Sequence, residues 1–329
     1  MSASITLQPG AELCHLPTLR LASGGELHGG VVAFERQGPV DAPLVVVLGG
    51  ISADRHVSAF AAVPGPGWWE GIVGPGQAID TERFQVLAID WLGGAGSSSG
   101  PRADEAYPFL DTVDQAAAVA CVLDHLEVPV VHAWVGSSYG GMVGLQFAAK
   151  YPQRLLRLCA IGAAHESCVQ ASAWRAVQRG IVELGVAQGC AAAALSLARS
   201  LAMTTYRSPQ ELQHRFAGRP ALVDGRIRFP VQDWLQARGD EFARRFPPAS
   251  FLCLNASIDA HRVDPKSIPV PTWLLGFDSD QLVPIWQLRE LAAALPRLQS
   301  FREAKSWYGH DGFLKEPLAV RAVLREVLA

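Results

Sequence analysis

Two hydrophobic patterns alternate along the first half of the chain. The stretches "APLVVVLGGIS" (42–52), "FQVLAIDWLGG" (84–94) and "VPVVHAWVGSS" (128–138) are continuous apolar runs that stop at glycines. Runs of this kind predict strands buried on both faces of a parallel sheet, not the in–out alternation of a half-exposed antiparallel strand. Between the last two, "VDQAAAVACVLDHLEV" (113–128) has apolar positions at helical spacing, and "GGMVGLQFAAKYPQRL" (140–155) repeats that pattern. Strand, helix, strand, helix predicts βαβ units, and so an α/β protein with a mostly parallel, doubly wound sheet.

The pattern changes after about residue 165. Residues 165–250 are rich in Ala, Arg and Gln, with helical patterning and no clear buried strand. Strand-like sequence resumes with "PVPTWLLGFDSDQLVP" (269–284). A helix over 285–295, a short strand around Leu298–Arg302 and a final helix from about 315 are expected to close the chain. The organisation predicted is an α/β core of 1–164 plus 266–329, interrupted by a helical lid over 165–265. Insertions of this kind cover the carboxyl ends of the strands, where open α/β sheets bind ligands.

Composition narrows the partners. Of 329 residues, 49% are hydrophobic and 18% charged, which suits a large buried core. A net charge of −3 with no Lys/Arg run argues against nucleic acid or an anionic membrane as main partner. The start, "MSASITLQPGAELCHLPTLR", lacks the basic and apolar segments of a signal peptide, and the apolar stretch 184–198 is too short and mixed to span a bilayer. Six cysteines show neither CxxC pairs nor metal-ligand spacing, so they read as reduced core residues. A cytoplasmic protein without a metal is expected.

The chemistry starts at "WVGSSYGGMV" (134–143), where Gly136-Ser137-Ser138-Tyr139-Gly140 fits G-x-S-x-G between a predicted strand and a predicted helix. That is the setting of a nucleophile elbow. Small flanking residues let backbones approach, the turn lifts the Ser138 hydroxyl off the sheet, and the Tyr139 N–H points at the same place as an oxyanion donor. Ser137 is the competitor, but the pattern centres on Ser138. A serine nucleophile needs a base held by a carboxylate, in the chain order Ser, Asp or Glu, His. "DSDQLVP" (278–284) supplies Asp280, preferred over Asp278 because D-x-L-V-P is the usual acid-loop form, and "YGHDGFL" (308–314) supplies His310. A second oxyanion donor is expected from "LGGISADRH" (48–56), with Ile51 N–H first and Gly50 or Ser52 as alternatives. Between Leu184 and Tyr206 the only charged residue is Arg199. It must snorkel, pair with a carboxylate or face an anionic ligand, and helical spacing puts Tyr206 on its face.

Taken together, "GWWEGIVGPGQAIDTERFQVLAID" (67–90), "LGGAGSSSGP" (92–101), "GSSYGGM" (136–142), "DSDQLVP" and "GHDGFL" (309–314) resemble the homoserine O-acyltransferases, α/β-hydrolase-fold enzymes of methionine biosynthesis. The resemblance runs from about Gly24 to the C-terminus. It implies a ping-pong reaction in which Ser138 takes an acetyl or succinyl group from acyl-CoA, and the hydroxyl of L-homoserine then attacks the acyl-enzyme. It further implies that Arg199 and Tyr206 hold the α-carboxylate and Asp311 the α-ammonium, that acyl-CoA is a co-substrate with no resident cofactor, and that the protein is a homodimer through its lid helices. Where the family often has Met and Gln, this chain has Tyr139 and Val143, positions expected near the acyl pocket. Serine O-acylation is the alternative within the family, and a carboxylesterase using water is the alternative outside it. Paired Arg199 and Asp311 disfavour water, which needs no zwitterion clamp.

Overall fold

The computed structural model describes residues 10–101 and 107–329. The leader reading of the N-terminus falls partly on residues 1–9, outside the described residues. Eight strands form one sheet: β1 (Glu12–His15), β2 (Val31–Gln37), β3 (Leu44–Leu48), β4 (Gln85–Ile89), β5 (Ala133–Ser137), β6 (Leu158–Ile161), β7 (Thr272–Phe277) and β8 (Leu298–Ala304). Their spatial order is β1-β2-β4-β3-β5-β6-β7-β8. From β4 to β8 every pairing is parallel. Every residue of β3, β4, β5 and β6 is buried, which is why these segments read as unbroken apolar runs.

The β1–β2 and β2–β4 pairings are antiparallel and were not anticipated. The strand "VVAFERQ" ends in three polar residues, which hides it. Glu35 and Gln37 are nevertheless buried, because Gln37 Nε2 donates to Glu35 Oε1 at 3.0 Å and His56 Nδ1 lies 3.0 Å from the same oxygen.

Helices α1 (Thr112–His125) and α2 (Tyr139–Lys150) cross between strands as predicted. α2 packs on β3, β5 and β6. After β6 the chain leaves the sheet for α3 (Val169–Ala187), α4 (Ala191–Tyr206), α5 (Pro209–Phe216), α6 (Pro230–Arg245) and α7 (Pro248–Ala260) before returning in β7. α4 is sandwiched against α3 and α6. The helical stretch also carries an exposed two-stranded hairpin, Ala221–Val223 with Arg226–Arg228, turned by Asp224-Gly225 at positive φ. α8 (Ile285–Ala294), the short α9 (Gly312–Lys315) and α10 (Pro317–Val327) complete the chain.

The reading of all six cysteines as core residues needs correction. All are free, but Cys190 is exposed at the start of α4, and Cys121 and Cys253 are only partly buried. Their apolar neighbours in sequence cannot reveal which side of a helix faces water. Among the described residues no helix is long and apolar enough to cross a membrane, and no His/Cys/Asp/Glu group could hold a metal ion.

Candidate active site

Ser138 sits at the junction of β5 and α2 with φ 51° and ψ −121°, a backbone conformation that costs a non-glycine residue energy and persists only where the surroundings enforce it. The enforcement comes from close backbone contacts. A Cβ on Gly140 would meet Leu48 O at 2.2 Å, and Gly140 N–H donates to Gly49 O at 2.9 Å, so the elbow is fastened to the loop after β3. Ser137, the competing serine, is the last residue of β5, fully buried, and its hydroxyl has no partner among the described residues.

His310 Nε2 lies 2.7 Å from Ser138 Oγ, and His310 Nδ1 lies 2.7 Å from Asp280 Oδ2. A carboxylate only accepts, so Nδ1 carries the proton toward Asp280 and Nε2 is left to accept from the Ser138 hydroxyl. The other Asp280 oxygen accepts from Leu282 N–H at 2.8 Å and Val283 N–H at 3.0 Å, which pins the acid. The rival Asp278 is exposed and receives Ser306 N–H at 3.0 Å, away from the histidine. Burial disfavours a charged His310, but the charge of Asp280 and its hydrogen bond outweigh that, so the imidazole holds a proton more firmly than an ordinary histidine.

The loop after β3 lies beside the elbow, with an added Cβ on Gly50 only 3.9 Å from Ser138 Oγ. Trp91 Nε1 donates to Gly50 O at 3.1 Å and holds the loop from the far side. Among the described residues neither the Ile51 N–H nor the Tyr139 N–H has an acceptor within the protein. The Tyr139 side chain, by contrast, is buried against Trp91, and its hydroxyl shares a 2.7 Å hydrogen bond with Ser257. Neither Tyr139 nor Val143 lines the cavity described next, so the expectation that both stand at the acyl pocket is corrected. The Tyr139 ring runs instead to Trp91 and to Ser257 of α7, and Val143 is fully buried, placements that strand–turn–helix spacing does not reveal.

A cavity of about 290 Å³ opens onto Ser138 and His310 and is also lined by Ile51, Arg199, Tyr206 and Asp311. Arg199 Nη1 donates to the Tyr206 hydroxyl at 3.3 Å, and its guanidinium lies 4.9 Å from the Tyr206 ring centre and 4.6 Å from that of Phe242. Arg199 is only partly buried, and among the described residues no hydrogen bond or ion pair joins it to a carboxylate. Gly309, at φ 58°, lets the end of α4 come close to the histidine loop, since a Cβ there would meet Tyr206 O at 2.7 Å. Sequence reasoning missed Arg207, which approaches Asp311 at 2.9 Å without hydrogen-bond alignment. Burial raises the Asp311 carboxyl, opposed by Arg207, His310 and Arg199. Also missed were Arg175 and Gln178 of α3 and Asn255 of α7, which line the same cavity. In sequence they look like ordinary polar positions of amphipathic helices.

Fold and site together define an α/β hydrolase by architecture, and the family model for the alpha/beta hydrolase fold matches residues 43–317. The chain is 43% identical over 295 residues to the homoserine O-succinyltransferase of Xanthomonas campestris pv. campestris, covering 90% of this chain and 78% of that one. It is 32% identical to the homoserine O-acetyltransferase of Thermobifida fusca, covering 94% and 91%. The chain belongs to the homoserine O-acyltransferase family. Solved structures of the same fold include homoserine O-acetyltransferase from Bacillus anthracis, with TM-score 0.88, 15% identity and 98% of each chain covered. Esterase E22 gives TM-score 0.86 at 18% identity, covering 98% of this chain and 100% of that one.

Proposed function

We propose that this chain transfers an acyl group from acyl-CoA to the side-chain hydroxyl of L-homoserine by double displacement at Ser138. The observation that carries the reading is the unbroken line from Asp280 through His310 to Ser138, opening into a cavity that also presents the Arg199 guanidinium, which has no carboxylate partner among the described residues. In the first half-reaction His310 Nε2 takes the Ser138 proton as Oγ attacks the thioester carbonyl. The Tyr139 and Ile51 N–H groups stabilise the resulting oxyanion. The C–S bond then breaks, and the proton on His310 goes to the departing thiolate. In the second half-reaction His310 takes the proton of the homoserine hydroxyl, which attacks the acyl-enzyme, and the proton returns to Ser138. Arg199 with Tyr206 holds the α-carboxylate, a task a planar guanidinium does bidentately, and Asp311 accepts from the α-ammonium.

This chemistry calls for no metal or resident cofactor. We assign it to methionine biosynthesis in the cytoplasm. A homodimer through the lid helices is supported by the exposed Val177 and Leu184, seven residues apart on α3.

The test follows thiol release from acyl-CoA with and without L-homoserine or L-serine, together with the O-acyl product. Homoserine-dependent turnover is expected, with little from serine. Ser138→Ala should lower thiol release by about 10⁴-fold or more, by analogy with removal of a serine nucleophile elsewhere. Retained turnover in that variant, or rapid hydrolysis unaffected by homoserine, would overturn the reading.

A further inference from the structure

The loop after β3 supplies the Ile51 N–H, and packing alone does not fix its position. Ile51, Ser52 and Ala53 line the active-site cavity and also a second cavity of about 250 Å³, which Asp90 and Trp91 help to enclose. A segment with open space on two sides lacks the close contacts that set the position of a core residue. Gly49 and Gly50 have no side chains to pack, and within the loop Ala53 N–H closes a turn on Gly50 O at 3.0 Å. An oxyanion donor must nevertheless stand within a few tenths of an ångström of its place.

The neighbouring strand supplies the hold. β4 pairs parallel with β3 and runs into Asp90-Trp91 at its carboxyl end. Besides the Trp91 contact with Gly50 O, Asp90 grips Arg55, four positions after Ile51. Asp90 Oδ1 accepts from Arg55 N–H at 3.0 Å, and Oδ2 accepts from Arg55 Nη1 at 2.5 Å and from Ser97 N–H at 2.7 Å. The carboxylate is 1% exposed and the arginine 3%. The turn in "LGGAGSSSGP" wraps this carboxylate. A Cβ on Gly96 would meet Asp90 Cγ at 2.2 Å, and the Ser98 hydroxyl donates to Asp90 O at 2.6 Å. Ion pairs buried this deeply are a poor source of stability, since apolar residues of similar volume often do as well. Charge-assisted hydrogen bonds do fix direction, which apolar contacts do not.

We propose that the Arg55–Asp90 pair positions the oxyanion hole, holding the loop after β3 where the Ile51 N–H meets the charge that develops in both half-reactions. The inference rests on the acyl-transfer reading above. As the Ser138 Oγ–C bond forms, the carbonyl electron pair moves onto oxygen, and it returns when the C–S bond breaks. Arg55 and Asp90 touch neither substrate nor proton in this sequence. They are positioning residues, and Trp91 is a weaker third, since its ring also packs on Tyr139, whose N–H is the other donor.

The test combines Arg55→Met with Asp90→Asn, which removes both buried charges and keeps an acceptor for the loop N–H. The thiol burst from acetyl-CoA and from succinyl-CoA without acceptor is followed for its amplitude, which counts competent sites, and for its rate. Steady-state turnover of L-homoserine and Tm are measured beside it. Full amplitude is expected at a rate about 100-fold lower, the scale of losing one oxyanion donor, with the KM for homoserine within about 3-fold of wild type. A purely structural role would lower Tm and amplitude and leave the rate per site unmoved, which overturns the proposal. So does a wild-type rate at full amplitude. Arg55→Lys keeps the charge but not the planar fork, and it serves if the double variant fails to fold. A burst about 10-fold slower at full amplitude is expected there, and an unchanged rate overturns the proposal. The ester p-nitrophenyl acetate, which acylates Ser138 without CoA, separates the two readings. A nitrophenol burst with no thiol release in the wild-type protein overturns the acyl-transfer reading, and the variants' burst rates on the ester then decide the positioning role. No burst from either substrate overturns both.

Discussion

The two sides of the cavity are held in place by different means. On the sheet side the reacting atoms are positioned by backbone: the strained Ser138, the Gly140 contact with Leu48 and two N–H groups grip Ser138 and Asp280. On the lid side position comes from charged side chains, with Arg175 and Arg179 sharing Asp259, Arg207 against Asp311, and Arg199 stacked on rings. Backbone contacts leave few degrees of freedom, which suits a step that must be made the same way for every substrate. Side-chain charges can be changed one residue at a time, which suits the choice of substrate. If that division holds, sheet-side substitutions should slow both half-reactions, and lid-side ones should alter recognition.

The strongest way to break the comparison is Asp280→Asn. The amide cannot impose the same imidazole tautomer, so both half-reactions should slow by about 10⁴-fold, the scale seen when a triad carboxylate is neutralised. The pH dependence gives a second reading. Activity needs neutral His310, so the wild-type rate should rise with pH through a pKa above that of an ordinary histidine, because Asp280 raises it. Without the carboxylate, burial and the Arg175 charge favour the neutral ring against the remaining pull of Asp311, so the residual activity should titrate at lower pH. A limb that stayed in place would mean that another group governs it.

The same division explains what could be read in advance. The parallel strands, the elbow and the order Ser138, Asp280, His310 were legible because strands buried on both faces leave unbroken apolar runs and the tight turn demands small residues. Arg199 was legible for the opposite reason, as a lone charge in apolar surroundings. Arg207 gave no signal beside Tyr206, because its partner Asp311 lies 104 positions away and the two segments meet only in the folded chain, at the approach over Gly309 and the Ser208–Trp307 hydrogen bond. Arg175, Gln178 and Asn255 were hidden by amphipathic helices, in which a polar residue facing a cavity looks the same as one facing water. The direction of the Tyr139 side chain was misread because sequence fixes the place of its N–H in the elbow but not where its ring packs.

On the lid side, Arg199→Ala is the next largest test. Loss of a charge-assisted bidentate contact should raise the KM for homoserine by about 100-fold, while the thiol burst from acyl-CoA without acceptor changes little. Stopped-flow bursts compared with steady-state turnover separate the two. Equal damage to both would show that the guanidinium acts on the sheet-side chemistry and would dissolve the division.

The smallest effect expected comes from Tyr206→Phe, and it tests how Arg199 is held. The hydroxyl accepts from Arg199 Nη1 at a long 3.3 Å, whereas the ring lies 4.9 Å under the guanidinium and a second ring, Phe242, lies at 4.6 Å. Removing the hydroxyl leaves both rings in place. It takes away one weak hydrogen bond of about 1 kcal/mol, or roughly 5-fold in the KM for homoserine, with the burst unaffected. Tyr206→Leu, which also removes the ring, should raise KM further. If instead the Phe variant matched Arg199→Ala, the Tyr206 hydroxyl and not the guanidinium would carry most of the grip on the α-carboxylate.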